Sequence, residues 1–379
     1  MWCRGKGLLG ESVSYQSRDH EGALSLPPIR TIAAIVVFTS WTTGCARPAG
    51  ELFPPITPLR VWPAPPDVAR IRYVGALAGS QDLQAGESPS EVLRSAFQGR
   101  RPPIRFSSPQ GLAVSSPDLL AVADGVGGAV HVLDLVQRTH TVVFGDGDHR
   151  FDTPMGVAWV GRRLFVTDAQ LGEIVELDEQ GRGRGRFGKE LLQRPVGIAY
   201  EPRGDRLYVA DSAGHVVRLF TPDGELAGTI GQRGTRIGEF NFPTHLCTGP
   251  DRIAVADSGN ARVQLFRASG EFISAIGEKG DAAGDLSLPK GVAFDRDGHL
   301  YVADARFENV QVFDGSGRLL MAFGEEGRRI GQFSLPAGLV VDGGNYLWAA
   351  DSGNRRVQVF EVLHAEGTMT APMAGKMVE

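Results

Sequence analysis

Ala256-Asp-Ser-Gly-Asn-Ala-Arg-Val-Gln-Leu-Phe266 returns as Ala350-Asp-Ser-Gly-Asn-Arg-Arg-Val-Gln-Val-Phe360, identical at nine of eleven positions and 94 residues downstream. A looser copy, Ala303-Asp-Ala-Arg-Phe-Glu-Asn-Val-Gln-Val-Phe313, lies midway. Identity at such spacing implies a repeat of about 47 residues, and a repeat of that length is one supersecondary unit that buries its apolar face only against neighbouring copies.

Working outward, each copy is preceded by a proline followed after two residues by an apolar pair: Pro109, Pro154, Pro195, Pro243, Pro289 and Pro336. Each then has an apolar stretch that ends in aspartate, at Asp124, Asp168, Asp211, Asp257, Asp304 and Asp351. Six positions after that aspartate stands Val or Ile in every copy, and nine positions after it stands Leu or Phe. Fixed spacing with β-branched residues specifies a hairpin. A further short strand ends near Gly145, Gly188, Gly231, Gly277 and Gly324, and the sixth copy lacks it. Six units of four short strands predict an all-β six-bladed β-propeller. Arg70-Ile-Arg-Tyr-Val-Gly75 alternates like a strand and ends in Val-Gly, so it is expected to pair with the last blade and close the ring.

The whole chain has 379 residues, 39 basic against 44 acidic, for a net charge of −5. That balance gives no electrostatic footprint for nucleic acid. Near the N-terminus Arg30 precedes the run Thr31–Phe38, too short to span a bilayer but matched to a signal-peptide core. The run leads to Thr42-Thr43-Gly44-Cys45, which resembles a bacterial lipoprotein processing site and makes Cys45 the expected lipidated residue. Residues 1–44 are then a removed signal region. Residues 45–69, with seven prolines, are a semi-rigid spacer, 70–362 the propeller and 363–379 a disordered tail. Ser88-Pro89-Ser90-Glu91 carries helix-start chemistry and predicts a short helix over 88–98. Cys247 is expected to be a buried, inert thiol on an inner strand.

The Asp-Ser-Gly-Asn-x-Arg-Val-Gln elements at 257–264 and 351–358 resemble the NHL family of six-bladed propellers, and the resemblance extends over about residues 70–362. Asp124-Gly-Val-Gly-Gly and Asp168-Ala-Gln-Leu-Gly, in blades 1 and 2, lack the Asn and Arg. With the Cys45 signal and the proline-rich leader, the arrangement is similar to bacterial NHL-repeat lipoproteins. The chain is expected to be a monomer anchored in the cell envelope and facing periplasm or exterior, and Ala46 after Cys45, unlike an inner-membrane retention signal, favours the outer membrane.

The six aspartates end second strands off the axis, so they are expected to bond backbone N–H groups of their turns and not to gather round one ion. Candidate sites lie where the repeat breaks. Two positions after the opening proline five blades have glycine, while blade 4 has His245. Arg306-Phe307 interrupts the turn pattern of blade 5, and Lys290 and Met155 follow their prolines directly. His245, Lys290, Arg306, Phe307 and Met155 are thus the candidate contacts of an unidentified envelope protein or peptide, with no cofactor expected. The alternative is a metal-dependent hydrolase or lyase at the channel mouth. His131, His215 and His299 fall in other registers, so a three-histidine zinc site with His245 is not expected.

Overall fold

The computed structural model describes residues 51–83, 102–115 and 118–364. Cys45, the expected helix over 88–98 and the tail beyond His364 lie outside them. Six antiparallel sheets form the blades, five of four strands and the last extended to five, counted from the innermost outward. The inner strands are Pro109–Ser115, Pro154–Val160, Pro195–Glu201, Pro243–Thr248, Pro289–Phe294 and Pro336–Val341. The second strands end on the six aspartates: Leu119–Asp124, Arg163–Asp168, Arg206–Asp211, Ile253–Asp257, Leu300–Asp304 and Tyr346–Asp351. In every blade the opening proline stands opposite its aspartate. Proline has no N–H to give to a ladder and is tolerated as the first residue of a strand.

Each blade buries both faces against its neighbours, so the core is a ring of six layers between blades. The β-branched positions Val130, Ile174, Val217, Val263, Val310 and Val357 are fully buried, as are Leu133, Leu177, Phe220, Phe266, Phe313 and Phe360 three residues on. A large apolar side chain of this kind contributes about 1.5–3 kcal/mol on burial. Repetition around the ring, more than any single contact, supplies the stability.

The last blade is closed by Ile71–Leu77, paired with Arg356–Val362. Its register differs from the sequence expectation. Leu77, two residues beyond Gly75, pairs with Val357, the place that Ile230, Ile276 and Phe323 fill in their blades. Gly75 sits at a bulge where a Cβ would come within 2.3 Å of the Phe53 ring. Leu52, Phe53, Ile56 and Trp62 of the proline-rich segment pack on this blade, while most other residues of 51–69 are exposed. Val61–Trp62 adds a two-residue edge strand, Trp62 lies 5.7 Å from Phe323 and 5.9 Å from Phe360, and Phe53 lies 6.3 Å from Trp348.

Candidate functional site

The turn aspartates are scaffold. Asp124 accepts from the backbone N–H of Ser107, Ser108 and Gly127; Asp168 does so from Asp152, Thr153, Gln170 and Leu171; Asp211 from Gln193, Arg194 and Gly214. Each carboxylate ties the segment entering its own blade to the turn between the second and third strands. Burial pushes the Asp124 carboxyl up, but His131 and the N–H groups of Ser107, Gly127 and Ser108 outweigh it and hold the group below its ordinary value.

Blades 4 and 6 use the full motif. Asp257 Oδ2 accepts from Asn260 Nδ2 at 2.8 Å, Arg262 Nε at 2.9 Å and Gln264 Nε2 at 3.1 Å. Arg262 and Gln264 also donate to the carbonyl of Glu239, and Gly238 donates to Gln264 Oε1. Asn354, Arg356 and Gln358 repeat this around Asp351 and the carbonyl of Gln332. These side chains hold the long connectors Gly231–Pro243 and Gly324–Pro336. Blades 2 and 3 are entered through the shorter connectors Gly145–Pro154 and Gly188–Pro195, and they lack the Asn and Arg. Ser258 and Ser352 donate across blades to the carbonyls of Pro289 and Pro109.

On the axis the glycines are required by space. A Cβ at Gly291 would meet Ala337 O at 2.0 Å, and one at Gly156 would meet Val196 O at 2.3 Å. The exception, His245, projects into an axial cavity of about 30 Å³ lined also by Leu112, Val157, Ile198, Val292 and Leu339. The imidazole is buried, and neither ring nitrogen has a hydrogen-bond partner. Burial, with the Lys290 charge adding to it, lowers His245 to about 4, so the ring is neutral at pH 7. Lys290 is half-buried on the neighbouring inner strand, and burial lowers its pKa.

His245 and Lys290 stand on neighbouring inner strands, and the Lys290 charge acts on the imidazole. Arg306 is exposed and Phe307 half-buried, farther out on the same blade as Lys290. Phe307 occupies the place of Asn260 and Asn354, so Asp304 binds the backbone N–H groups of Arg306 and Phe307 in its stead. Met155 lies across the ring, on blade 2, beside Gly125 of the first blade's turn.

The sequence reading missed the residues just before the prolines. Phe242 and Leu335 are half-exposed, Leu288 is 37% exposed, and Ile237 and Ile330 of the connectors join them. Phe242 and Leu335 have φ of 53° and 50°, costly for bulky side chains. His215 Nδ1 and the Glu308 carboxylate accept their N–H groups. The signal was available: blades 1–3 carry Ser108, Thr153 and Arg194 at these positions.

Other polar clusters are local. His131 Nδ1 lies 2.8 Å from His140 Nε2 and its Nε2 lies 3.4 Å from Asp124. Arg182, Arg184 and Arg186 pair with Asp178, Glu176, Asp146 and Glu173, which spends the basic run on its own blade and the one before. Cys247 is half-buried, and burial pushes its thiol far up. Among the described residues no three His, Cys, Asp or Glu side chains are grouped as metal ligands.

No protein-family model and no curated protein matches the chain. Solved structures do match, and the class they share with it is the six-bladed propeller. A Bacteroides thetaiotaomicron protein of unknown function aligns with a TM-score of 0.55 at 16% identity, over 69% of this chain and 70% of that one. An auxiliary nutrient binding protein from the same organism aligns at 0.54 and 12%, over 67% and 69%. A gluconolactonase from Xanthomonas campestris aligns at 0.51 and 20%, over 68% and 87%. Identities this low establish the fold and nothing of the chemistry.

Proposed function

We propose that the protein is a non-catalytic binding platform of NHL-repeat type, held to a membrane of the cell envelope through Cys45, and that it takes a protein or peptide on the loop-bearing face of blades 4–6. The observation that carries this reading is the exposed apolar set Phe242, Leu288, Leu335, Ile237 and Ile330 on the connectors that enter blades 4–6, where His215 and Glu308 bond the N–H groups of Phe242 and Leu335. Exposed apolar side chains on the corresponding connectors of three successive blades, fixed in left-handed backbone at Phe242 and Leu335, suit a partner surface. The aligned nutrient binding protein and the lactonase stand for the two directions this fold takes, binding and catalysis.

Pull-down of solubilised full-length protein from its own envelope fraction tests the reading. A partner retained by the wild type and lost with Phe242→Asp plus Leu335→Asp supports it. Equal capture by both counts against it. One divalent ion per chain, lost in His245→Ala, favours the hydrolase or lyase instead. Radiolabelled palmitate absent from the protein, but present in a control lipoprotein, removes the anchor.

A further inference from the structure

Blade 1 holds its incoming chain differently from blades 4–6. At the third-strand position where those blades carry Gln264, Gln311 and Gln358, it carries His131. Gln264 and Gln358 reach their turn aspartates with an amide, which takes up no proton. His131 Nε2 lies 3.4 Å from Asp124 Oδ2, and its Nδ1 lies 2.8 Å from Nε2 of His140 on the adjacent outer strand. Asp124 and His131 are buried, and His140 Nδ1 is buried without a partner.

This row of groups supports a neck formed by two chain segments, 78–83 and 104–108. The N–H of Ser80 donates to the Ile104 carbonyl at 2.8 Å and that of Phe106 to the Ala78 carbonyl at 3.1 Å, which joins the two. Asp124 accepts from Ser107 and Ser108, and the Phe106 ring stands edge-on to His131 with centroids 5.0 Å apart. Leu83 is buried in the same layer as Phe106, and Arg138 donates to its carbonyl at 3.3 Å. The remaining charges are engaged elsewhere: Asp82 accepts from Ala78 and Gly79, Asp134 accepts from Val136 and Gln137, and Arg105 is exposed. Among the described residues no carboxylate but Asp124 comes within 4.0 Å of either ring.

We propose that the His131–His140 pair is an acid-sensitive latch that holds this neck on blade 1 and releases it when both rings are protonated. Only one hydrogen fits between nitrogens at hydrogen-bond distance, so one ring must donate and the other accept. Two imidazolium rings have no acceptor between them and repel, and Asp124 offsets one charge but not two. The N–H added at His140 Nδ1 would meet no acceptor. Burial and the His131 charge lower His140 from the ordinary 6.5 to about 4. The latch is therefore shut at pH 7, and its closure weakens as pH falls from 6.5 to 4.

Amide hydrogen exchange of the full chain at pH 7 and pH 4 reads the latch, with rates expressed as protection factors so that the pH dependence of the exchange chemistry cancels. In the wild type, protection over residues 104–108 is expected to fall at least about tenfold at pH 4. Over residues 287–292, the matching entry to blade 5, it should change less than about twofold. His131→Gln installs the residue of blades 4–6, and His140→Gln keeps a donor for His131 Nδ1 that takes up no proton. Each variant should hold the neck at pH 4 within about twofold of its protection at pH 7. Either variant suffices should the other fail to fold. Wild-type protection of the neck unchanged at pH 4, an equal fall in the variants, or a fall shared by every blade overturns the proposal. The rim at Phe242 and Leu335 takes no part in this measurement, so the platform reading stands or falls separately.

Discussion

His245 carries a pH dependence that can be worked out in sign. Its folded pKa of about 4 lies below the ordinary 6.5, so between those values the unfolded chain takes up a proton that the folded chain refuses. Stability from this group is complete above pH 6.5, falls as pH drops to 4, and changes no further below. The loss is on the order of 3 kcal/mol. His140 is lowered to about 4 by burial and by His131, and contributes in the same window. Urea titrations of His245→Gly at pH 7 and pH 4 are therefore expected to show roughly half the wild-type loss. No difference in slope would mean that the buried imidazole is already compensated. At this scale the sequence was partly legible. His245 stood out because five glycines surround it in the repeat, and Arg306-Phe307 because it breaks a turn. The half-burial of Lys290 was not legible, because it depends on what the ring packs around it. The rim at Phe242, Leu288 and Leu335 was overlooked because an apolar residue before a proline looks like core until its exposure is seen.

Among the elements, the turn and the connector it secures behave as one unit. Arg262 reaches the buried Asp257 and two connector carbonyls, and Arg356 does the same in blade 6 with three. Removing the guanidinium leaves Asp257 or Asp351 buried with its charge partner gone. Arg262→Ala and Arg356→Ala are each expected to cost about 3 kcal/mol in chemical denaturation. Asn309 stands at the matching place in blade 5, where an alanine should cost well under half as much, about 1 kcal/mol. Inner-strand glycines give a second contrast. Gly291→Ala forces a Cβ onto the Ala337 carbonyl and should destabilise by about 2–4 kcal/mol, whereas Gly185→Ala meets nothing within 4 Å and should be neutral or slightly stabilising. Strand boundaries were legible because proline and aspartate mark both ends of every inner hairpin. The closing strand was misplaced by two residues because Val74-Gly75 mimics the Ile-Gly endings, and only the Phe53 ring explains that glycine.

For the whole molecule, each of the six layers is shared by two blades, so no blade can leave without exposing two apolar faces. Leu77 is fully buried where the ring closes. Leu77→Asp is expected to lower the denaturation midpoint by an amount equivalent to about 4 kcal/mol. Fluorescence from Trp348, beside the seam, and from Trp159, two blades away, should report one common transition. Separate transitions would show that the seam opens alone.

That seam joins Ile71 to Val362, residues roughly 300 positions apart, while every other ladder joins near neighbours in sequence. Closing so long a loop costs about 2–3 kcal/mol more in chain entropy than closing a hairpin. The first strand of the ring to leave the ribosome is therefore the last to find its partner. Through the synthesis of five blades and most of a sixth, Ile71, Tyr73 and Leu77 wait as an unpaired apolar edge, and the time spent waiting, more than the strength of the finished ring, is when this chain is most open to aggregation.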